Sequence, residues 1–393
     1  MTRSSLPSAP PISAGRLIGD KFEILDVLGE GGTGIVYDAV RLPGRDPIAL
    51  KVIHNHLLGD KQIRGRFTRE AAILRRLDGP HLCPILEFGE LPDPRHEGQG
   101  LLFIALPKIE GPALDQLLRD EGPLVVERAL DIVLQVCKGL KAAHAQGVIH
   151  RDLKPANVIM RGGTHAVVVD FGMAKIVTGY GGTGTTALTS HNMVFGTPEY
   201  MSPEQARGDE LDARCDVYAA GVILYELLTG SVPFSGATPL SVLTAHLTSS
   251  PTLPRVRAPE RPITVALEAV VMHAIAKDPE KRYATAAAFA AAISKAHAEP
   301  NDSHSIRPEA FSPTGNANSD DAHAETIPFP EPTDPRKLPT LRPDPRKATT
   351  VRPPKGEGLG PANDGLSVRT WGIIAVVAAV SILLGILVSL KTN

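Results

Sequence analysis

The sequence is poor in cysteine, carries almost no net charge and lacks an apolar segment at its amino terminus. Its three cysteines, Cys83, Cys137 and Cys215, lie far apart without a CxxC pair, which argues against a disulfide framework or a zinc site and favours a reducing compartment. The formal net charge of -2 gives no general attraction to nucleic acid, so no nucleic-acid partner is expected. The first residues, MTRSSLPSAPPISAGRLIGD, have no apolar core of signal-peptide length, so we expect no export signal there.

Proline and glycine divide the chain into segments. Residues 1–20 are rich in Ser, Pro and Gly and are predicted to be disordered, whereas residues 21–298 show the dense apolar periodicity of a large folded core. Residues 299–368 are crowded with Pro, Asp, Asn and Thr, which is the composition of a disordered linker. The pattern therefore predicts one folded domain followed by a long tether.

Long apolar runs are also scarce, and the exception lies near the end of the chain. Residues 371–390, from Trp371 to Leu390, contain no charge and no proline. About 20 residues at about 1.5 Å rise span about 30 Å, the thickness of a bilayer core. We predict a transmembrane helix here, with residues 391–393 as a short tail; a buried helix of a globular domain is the alternative.

The start of the folded region reads as strands around a glycine cluster. The stretch KFEILDVLGEGGTGIVYDAVRL alternates apolar and polar residues into and out of Gly29, Gly31 and Gly34, and DPIALKVIH follows as a third short run. Glycines at this spacing let backbone N–H groups approach phosphates, or they serve only the turn of a hairpin. A dinucleotide site is disfavoured, because that fingerprint needs a helix after the loop.

Two further stretches carry groups suited to metal and hydroxyl chemistry. VIHRDLKPANVIM, followed by VVVDFGMAK, places Asp152, Asp170 and Asn157 in short loops beside β-branched runs. Two carboxylates and an amide are what a divalent metal and a hydroxyl nucleophile need.

With these motifs in this order, the sequence resembles the eukaryotic-type (Hanks-type) protein kinase family, and within it the bacterial membrane-attached serine/threonine kinases. The resemblance covers about residues 21–298. It implies an α+β, bilobal protein kinase fold with a small β-rich N-lobe (about 21–106), a hinge (107–111) and a large helical C-lobe (about 112–298). It also implies ATP and Mg²⁺ or Mn²⁺ as cofactors, and protein substrates.

The resemblance implies an ATP site along the hairpin, the third strand and the hinge. Lys51 would hold the α- and β-phosphates with Glu70 as its ion-pair partner, Leu106 would be the gatekeeper, and Pro107 keeps the carbonyl that adenine recognition asks of it. The expected ATP-binding residues are Leu28, Gly29, Glu30, Gly31, Gly32, Thr33, Gly34, Ile35, Val36, Ala49, Lys51, Leu106, Pro107, Ile109 and Ile159.

The resemblance also assigns the chemistry. Asp152 would orient the substrate hydroxyl and Lys154 would neutralise charge on the transferred phosphoryl group, while Asn157 and Asp170 would bind the metal. Lys154 and Thr197 match the serine/threonine-specific pattern; a turn hydroxyl is the alternative for Thr197. The scaffold residues of the large lobe would be Glu204, Asp216 and Arg282, with Glu204 and Arg282 as a buried pair.

The segment between the DFG and GTPE motifs of the C-lobe is rich in Gly and Thr. We expect autophosphorylation there, with Thr189 as the main site, because Arg151 is placed to bind a phosphate on this segment. The candidates are Thr183, Thr185, Thr186, Thr189 and Ser190. A catalytically weak, phospho-regulated scaffold is the alternative function, although none of Lys51, Asp152, Asn157 and Asp170 is missing.

ATP use places the domain in the cytoplasm, attached to the cell membrane by a single carboxy-terminal pass. Arg352, Lys355 and Arg369 before the predicted span, against Lys391 after it, agree with the positive-inside tendency. The expected partners are thus protein substrates, other copies of the chain and the lipid bilayer. A ten-residue repeat, DPRKLPTLRP then DPRKATTVRP, places Thr340 and Thr350 in register, as phosphorylation or docking sites or as a duplication without function.

Overall fold

The computed structural model describes residues 11–54, 61–95, 100–171 and 197–298. Its strands are β1 (Leu17–Ile18), β2 (Phe22–Gly31), β3 (Gly34–Arg41), β4 (Asp46–Ile53), β5 (Glu87–Pro92), β6 (Gly100–Pro107), β7 (Val158–Arg161) and β8 (His165–Val168). Its helices are α1 (Lys61–Leu74), α2 (Leu114–Glu121), α3 (Val126–His144), α4 (Pro203–Arg207), α5 (Arg214–Thr229), α6 (Pro239–Thr248), α7 (Pro254–Arg257), α8 (Val265–Ala274) and α9 (Ala286–Ala298).

The amino-terminal lobe contains a six-stranded antiparallel sheet in the order β1-β2-β3-β4-β6-β5. Gly31 pairs with Gly34, so Gly32 and Thr33 form a two-residue hairpin turn between β2 and β3. The predicted hairpin and third strand are therefore confirmed. One face of this sheet packs a closed apolar core, which includes Ile24, Tyr37, Leu50, Phe103 and Ala105.

The carboxy-terminal half is helical, and α5 is its centre. Nearly every residue of α5 from Cys215 to Leu228 is buried, as expected for a helix that is apolar on all sides. Helix α3 packs against both α5 and α9, and the short β7–β8 hairpin lies against α3. The apolar run AAGVILYELL thus specifies the interior of this lobe.

The two lobes are joined by one short strand-to-helix connection, residues 107–113. Gly111 has φ +147°, and a Cβ on it would lie 2.1 Å from the carbonyl oxygen of Met160. The backbone N–H of Met160 donates to the carbonyl of Pro112 at 2.9 Å. Because only glycine permits this close approach, Gly111 allows the connection to lie flat on β7.

The expected α+β architecture, with a β-rich amino-terminal lobe and a helical carboxy-terminal lobe, is confirmed. No helix among residues 11–54, 61–95, 100–171 and 197–298 is both long and apolar enough to cross a bilayer. The predicted span at 371–390, the linker at 299–368 and the tail at 391–393 lie outside the described residues.

Candidate active site

Strand register brings the predicted nucleotide residues to one face of the sheet. Val36 pairs with Lys51, and Ala49 pairs with Leu106, so these four side chains project on the same side of the sheet. Val36, Ala49 and Leu106 are half-buried rather than closed off. Their strand neighbours fill the core on the opposite face. This open apolar face is a surface on which a flat ring can lie.

One predicted ATP-binding residue, Ile35, has its side chain on the face of the sheet that packs in the core. Ile35 is 3% exposed and packs in the closed core with Tyr37 and Leu50. The period of two along a strand forces this, because Ile35 lies between residues that face the cleft. The side chain of Ile35 therefore faces away from the cleft, its backbone remains available to a ligand, and its role in ATP binding stays a prediction.

The glycines of the hairpin divide into two kinds. A Cβ on Gly34 would lie 2.1 Å from the carbonyl oxygen of Val52, so this glycine serves the close approach of β3 to β4. Gly29 and Gly31 have open space where a side chain would stand. The carbonyl of Gly31 bonds His54 Nε2 at 3.0 Å, which ties the turn to the end of β4. The hairpin therefore combines a structural glycine with two that leave the backbone accessible.

Lys51 forms an ion pair with Asp170 across the two lobes. The distance from Nζ to Oδ2 is 2.7 Å, and the side chains are 6% and 26% exposed. Burial acts to raise the pKa of Asp170, but the ammonium charge and hydrogen bond of Lys51 outweigh it, so the pKa of this carboxyl is lowered. Asp170 also adopts φ +63°, a left-handed conformation that is uncommon for Asp. The structure thus holds an ionised carboxylate at the lobe boundary.

Glu70 lies on α1 and is half-buried. The ion-pair partner that the structure gives Lys51 is Asp170. The pairing of Lys51 with Glu70 therefore stays a prediction from the family resemblance.

Asp152, Lys154 and Asn157 are assembled by one short loop before β7. Lys154 Nζ donates to Asp152 Oδ2 at 3.0 Å, and Asn157 Nδ2 donates to the backbone carbonyl of Asp152 at 2.7 Å. Pro155 begins a 3₁₀ turn that ends at Asn157 and folds the loop back on itself. The Asp152 carboxylate remains 31% exposed, so it can accept a bond from a substrate.

The Asp216 carboxylate, on α5, stabilises this loop through hydrogen bonds to its backbone. Its carboxylate accepts the backbone N–H groups of His150 at 2.8 Å and Arg151 at 2.9 Å, and it contacts His144 Nε2 at 2.7 Å. Burial opposes its ionisation, but the hydrogen bond of His144 and the neighbouring histidines lower the pKa of Asp216. Arg151 has φ +67°, so the carboxylate stabilises a turn that the chain otherwise resists. Sequence reasoning assigned Asp216 to the scaffold, and the contacts define that role.

His150 adds a second support. Its Nδ1 accepts the backbone N–H of Asp152 at 3.3 Å, so the ring proton lies on Nε2, which donates to the carbonyl of Val169 at 2.9 Å. One imidazole thereby links the Asp152 loop to the residue before Asp170. Sequence reasoning missed this role, although the position of His150 next to the RD pair was a signal.

Asn157 and Asp170 lie at the same end of the β7–β8 hairpin. Val158 pairs with Val168, and the backbone N–H of Val169 donates to the carbonyl of Asn157 at 2.9 Å. Since the amide nitrogen of Asn157 is bound to Asp152, its side-chain oxygen is the atom left for a metal. The described residues contain no group of three or more His, Cys, Asp or Glu that could hold a metal alone. An amide oxygen and a carboxylate instead fit a hard cation that completes its shell with phosphates and water.

Comparison with known proteins decides the family. The chain matches the family described as the protein kinase domain over residues 22–293, which is more than half of its length. The chain belongs to the protein kinase family. It is 42% identical over 287 residues to serine/threonine-protein kinase pkn3 of Myxococcus xanthus, covering 71% of this chain and 50% of that protein.

Other relatives agree. The kinase is 37% identical over 280 residues to serine/threonine-protein kinase PknB of Mycobacterium tuberculosis, covering 71% of this chain and 43% of that protein. A crystal structure of the Mycobacterium tuberculosis PknI kinase domain matches with a TM-score of 0.55 at 26% identity, covering 73% of this chain and 100% of that one. The chain spans about half or less of the curated relatives it matches. The resemblance to bacterial Hanks-type serine/threonine kinases is confirmed.

In this kinase a pocket of about 330 Å³ lies behind Lys51 and Leu106 and opens to solvent. Burial and the nearby Asp170 raise the pKa of the Cys83 thiol there to about 12, so the thiol stays protonated. The other lining residues are Leu74, Leu77, Ile85, Ile104, Asp170 and Phe171. Sequence reasoning did not foresee this pocket, because its walls come from separate stretches of chain.

A second pocket, of about 230 Å³, lies beside the Asp152 carboxylate. Thr197, Tyr200 and Met201 form one wall of it, and Arg151 and Gln205 contribute to others. We call it the acceptor pocket. The structure therefore places Thr197 next to Asp152, where the sequence predicted a role in substrate choice.

On the opposite side of the cleft, Ile159 is half-buried, pairs with Val167 and forms a bridge with Ala113. Pro107 pairs with Ile48 at the end of β6, and Ile109 is half-buried in the connection. These positions agree with the predicted adenine site between the lobes. The predicted phosphorylation sites, Thr183, Thr185, Thr186, Thr189 and Ser190, lie outside the described residues.

Proposed function

We propose that this kinase transfers the γ-phosphate of ATP to serine and threonine hydroxyls of proteins, with Mg²⁺ as the metal. The observation that carries the proposal is the juxtaposition of two charge pairs, Lys51 with Asp170 and Lys154 with Asp152, at the edge of one open apolar face. The bacterial relatives bear the name serine/threonine-protein kinase, which supports the choice of acceptor.

The metal fits the residues that would hold it, Asn157 Oδ1 and the Asp170 carboxylate. Both are oxygen ligands of the kind Mg²⁺ prefers, and the lowered pKa keeps Asp170 ionised at neutral pH. When bound, the metal would neutralise negative charge on the ATP phosphates. Asp170 is paired with Lys51 in this structure, so on metal binding its carboxylate would contact both the metal and Lys51 or would release Lys51.

The protein groups around the acceptor pocket supply the rest. Asp152 would accept a hydrogen bond from the substrate hydroxyl and point its oxygen at the phosphorus, which is a positioning effect. Lys154, 3.0 Å from Asp152, adds positive charge where charge builds on the transferred group. The hydroxyl oxygen forms the new bond to phosphorus as the bond to ADP breaks, and the hydroxyl proton passes to the Asp152 carboxylate, so no covalent enzyme intermediate is needed.

The test is phosphate transfer by the full chain. Wild type, Lys51→Ala and Asp152→Asn are incubated with labelled ATP, Mg²⁺ and myelin basic protein. Each substitution should lower incorporation by at least about 10²-fold, since each removes a charged group at the reacting centre. Lys141→Ala, an exposed lysine of α3, is the matched control and should keep wild-type incorporation. Unchanged incorporation in both site variants would overturn the proposal.

We also propose that the kinase phosphorylates its own activation segment among Thr183, Thr185, Thr186, Thr189 and Ser190, with Thr189 as the main site. Support comes from Arg151, whose backbone is fixed by Asp216 at the entrance to the acceptor pocket. A phosphate on the segment would gain charge-assisted hydrogen bonds from this guanidinium. Mass spectrometry of a fully active preparation should find these residues modified, and the Asp152→Asn protein should be bare at them.

Attachment to the membrane is the third proposal, with residues 371–390 as the anchor and the kinase domain on the cytoplasmic side. It is supported by the uncharged, proline-free composition of that stretch. Deleting residues 369–393 should move the protein from the membrane fraction to the soluble fraction. It should leave the rate on a soluble substrate unchanged but lower activation-segment phosphorylation in cells, because encounters between copies become rarer. Equal phosphorylation at matched abundance would show that the anchor only sets location.

A further inference from the structure

A buried histidine near the acceptor pocket has one ring nitrogen without a hydrogen bond. His246, on α6, is fully buried. Its Nδ1 lies 2.7 Å from the hydroxyl of Tyr218, whereas its Nε2 is buried and makes no hydrogen bond with any residue in the described part of the chain. A buried polar group without a partner costs about 1–3 kcal/mol, so such a group calls for an explanation.

The ring is neutral, which fixes what Nε2 can do. Burial and the positive charge of Lys277 lower the pKa of His246 to about 4, against the opposing effect of the Glu199 backbone carbonyl. Burial also raises the pKa of Tyr218, so that hydroxyl keeps its proton. We assign that proton as the donor to Nδ1 across the 2.7 Å contact, because this leaves the ring's own proton for the side of the turn. The single ring proton then lies on Nε2. His246 Nε2 thus lies near enough to the Glu199 carbonyl for that group to act on the ring, but it does not reach hydrogen-bond geometry.

Glu199 belongs to the 3₁₀ turn Pro198–Tyr200, which directly follows Thr197 and forms a wall of the acceptor pocket. One side of this turn is fastened, because the Tyr200 hydroxyl donates to Glu226 Oε2 at 2.6 Å. The backbone hydrogen bonds within the turn are long, 3.3 Å from Tyr200 N to Thr197 O and 3.3 Å from Met201 N to Pro198 O. Helix α6 packs against this turn, and the buried His246 Nε2 on α6 is the polar atom there that lacks a hydrogen bond within the described residues.

We propose that His246 is a positioning residue for the protein substrate: its Nε2–H donates to the Glu199 carbonyl when a polypeptide fills the acceptor pocket, and this fixes the turn beside Asp152. The inference rests on the proposed function, since it requires a polypeptide in that pocket. It assigns to α6, a helix that contributes no residue to the pocket lining, a share of the binding energy for the substrate.

Two substitutions separate the two ring nitrogens. His246→Gln places an amide nitrogen near the position of Nε2 and keeps a donor for Glu199. His246→Asn places a carbonyl oxygen near the position of Nδ1, so it keeps an acceptor for Tyr218 but cannot reach Glu199. Tyr218→Phe is the control, because it removes the bond to Nδ1 and leaves the Nε2 side intact.

The full-length variants are compared by the KM for myelin basic protein, the KM for ATP and the melting temperature. His246→Asn should raise the KM for the protein substrate about five- to tenfold, the value of one hydrogen bond, with the KM for ATP unchanged. His246→Gln should stay within about twofold of wild type, and Tyr218→Phe should lower the melting temperature without changing either KM.

Equal KM shifts in His246→Asn and His246→Gln, or a shift that follows melting temperature across all three variants, would overturn the inference and leave His246 a purely structural residue. A wild-type chain that hydrolyses ATP but phosphorylates no protein would instead contradict the proposed function. The two failures are thus distinguishable.

Discussion

Two ion pairs of this kinase have the same length and different surroundings. Lys51 and Asp170 are 2.7 Å apart, and so are Arg282 and Glu204. Arg282 and Glu204 are 0% and 6% exposed, and all five N–H donors of Arg282 are used, on both Glu204 oxygens and on the carbonyls of Ala276, Lys277 and Arg214. Asp170, in contrast, is 26% exposed at the edge of a pocket.

The difference shows how the same kind of interaction, an ion pair, can serve either the stability of the fold or the binding of a ligand. A guanidinium whose donors are all satisfied in the interior has no bond left for a ligand, so the Arg282–Glu204 pair holds α4 against the start of α5 and the turn before Tyr283. The predicted buried pair is confirmed. A carboxylate that is paired but still reached by solvent can exchange its partner, which is what the binding of metal and phosphate requires. The distance between the charged atoms is the same in the two pairs. What distinguishes the structural pair from the one suited to ligand binding is that all N–H donors of its cation are used and that solvent does not reach it.

We call Lys51–Asp170 the open pair, because solvent reaches it, and Arg282–Glu204 the closed pair, because it is buried. The largest expected effect on phosphate transfer comes from a change in the open pair. Asp170→Asn keeps the shape of the side chain but removes the charge for the metal and for Lys51, so phosphate transfer should fall at least about 10³-fold. The free energy of unfolding should change far less than it does for a break in the closed pair. Transfer assays and urea unfolding on one preparation test both points, with Asp131→Asn on the exposed face of α3 as control. A variant that is unfolded rather than inactive would erase the contrast.

The closed pair should respond in the opposite way. Arg282→Met leaves the Glu204 carboxylate buried without its partner, so the free energy of unfolding should fall by about 3–5 kcal/mol. The folded fraction should still bind ATP with an unchanged dissociation constant. Replacing both residues by apolar ones, Glu204→Leu with Arg282→Met, should recover part of the loss, because no charge then remains buried. A double variant as unstable as the single one would show that the carbonyl contacts of Arg282 matter more than its charge.

Acid should weaken the open pair over a defined range. Since the pKa of Asp170 is lowered in the folded state, its contribution to stability is fully present above the unfolded value of about 3.9 and is lost as the pH falls through the folded value. The difference in unfolding free energy between wild type and Asp170→Asn should therefore be constant from pH 7 to about pH 5 and shrink below about pH 4. A difference that already shrinks near pH 6 would contradict the lowered pKa.

The smallest effect is expected for a third pair, at the mouth of the cleft. Lys108 Nζ lies 2.8 Å from Asp38 Oδ2, but the lysine is 34% exposed, so solvent screens the attraction. Lys108→Ala should change the free energy of unfolding by less than about 1 kcal/mol and leave the KM for ATP within about twofold. A loss as large as that of Arg282→Met would show that exposure is a poor guide to the value of these pairs.

The family, the two lobes and the reactive side chains could all be predicted from the amino-acid sequence. The Gly-rich hairpin and the third strand follow from period-two alternation around a turn, and the apolar run of α5 identifies the interior of the C-lobe. Asp152, Lys154 and Asn157 lie within six residues of each other, so a single turn had to bring them together. Local spacing suffices for such groups, because the chain cannot place them far apart.

Which distant side chains meet could be read only from the folded arrangement. Lys51 and Asp170 are separated by 119 positions, and the structure joins these two residues, while the pairing of Lys51 with Glu70 came from family likeness. The strand period places Ile35 and Val36 on opposite faces of the sheet, but only the packing of the lobes shows that the face of Val36 is the one along the cleft. The hydrogen bonds of His150, the close approach at Gly111 and the open donor of His246 likewise depend on contacts between separate elements. The physical reason is that spacing constrains neighbours along the chain, whereas burial and packing of whole lobes select partners across it.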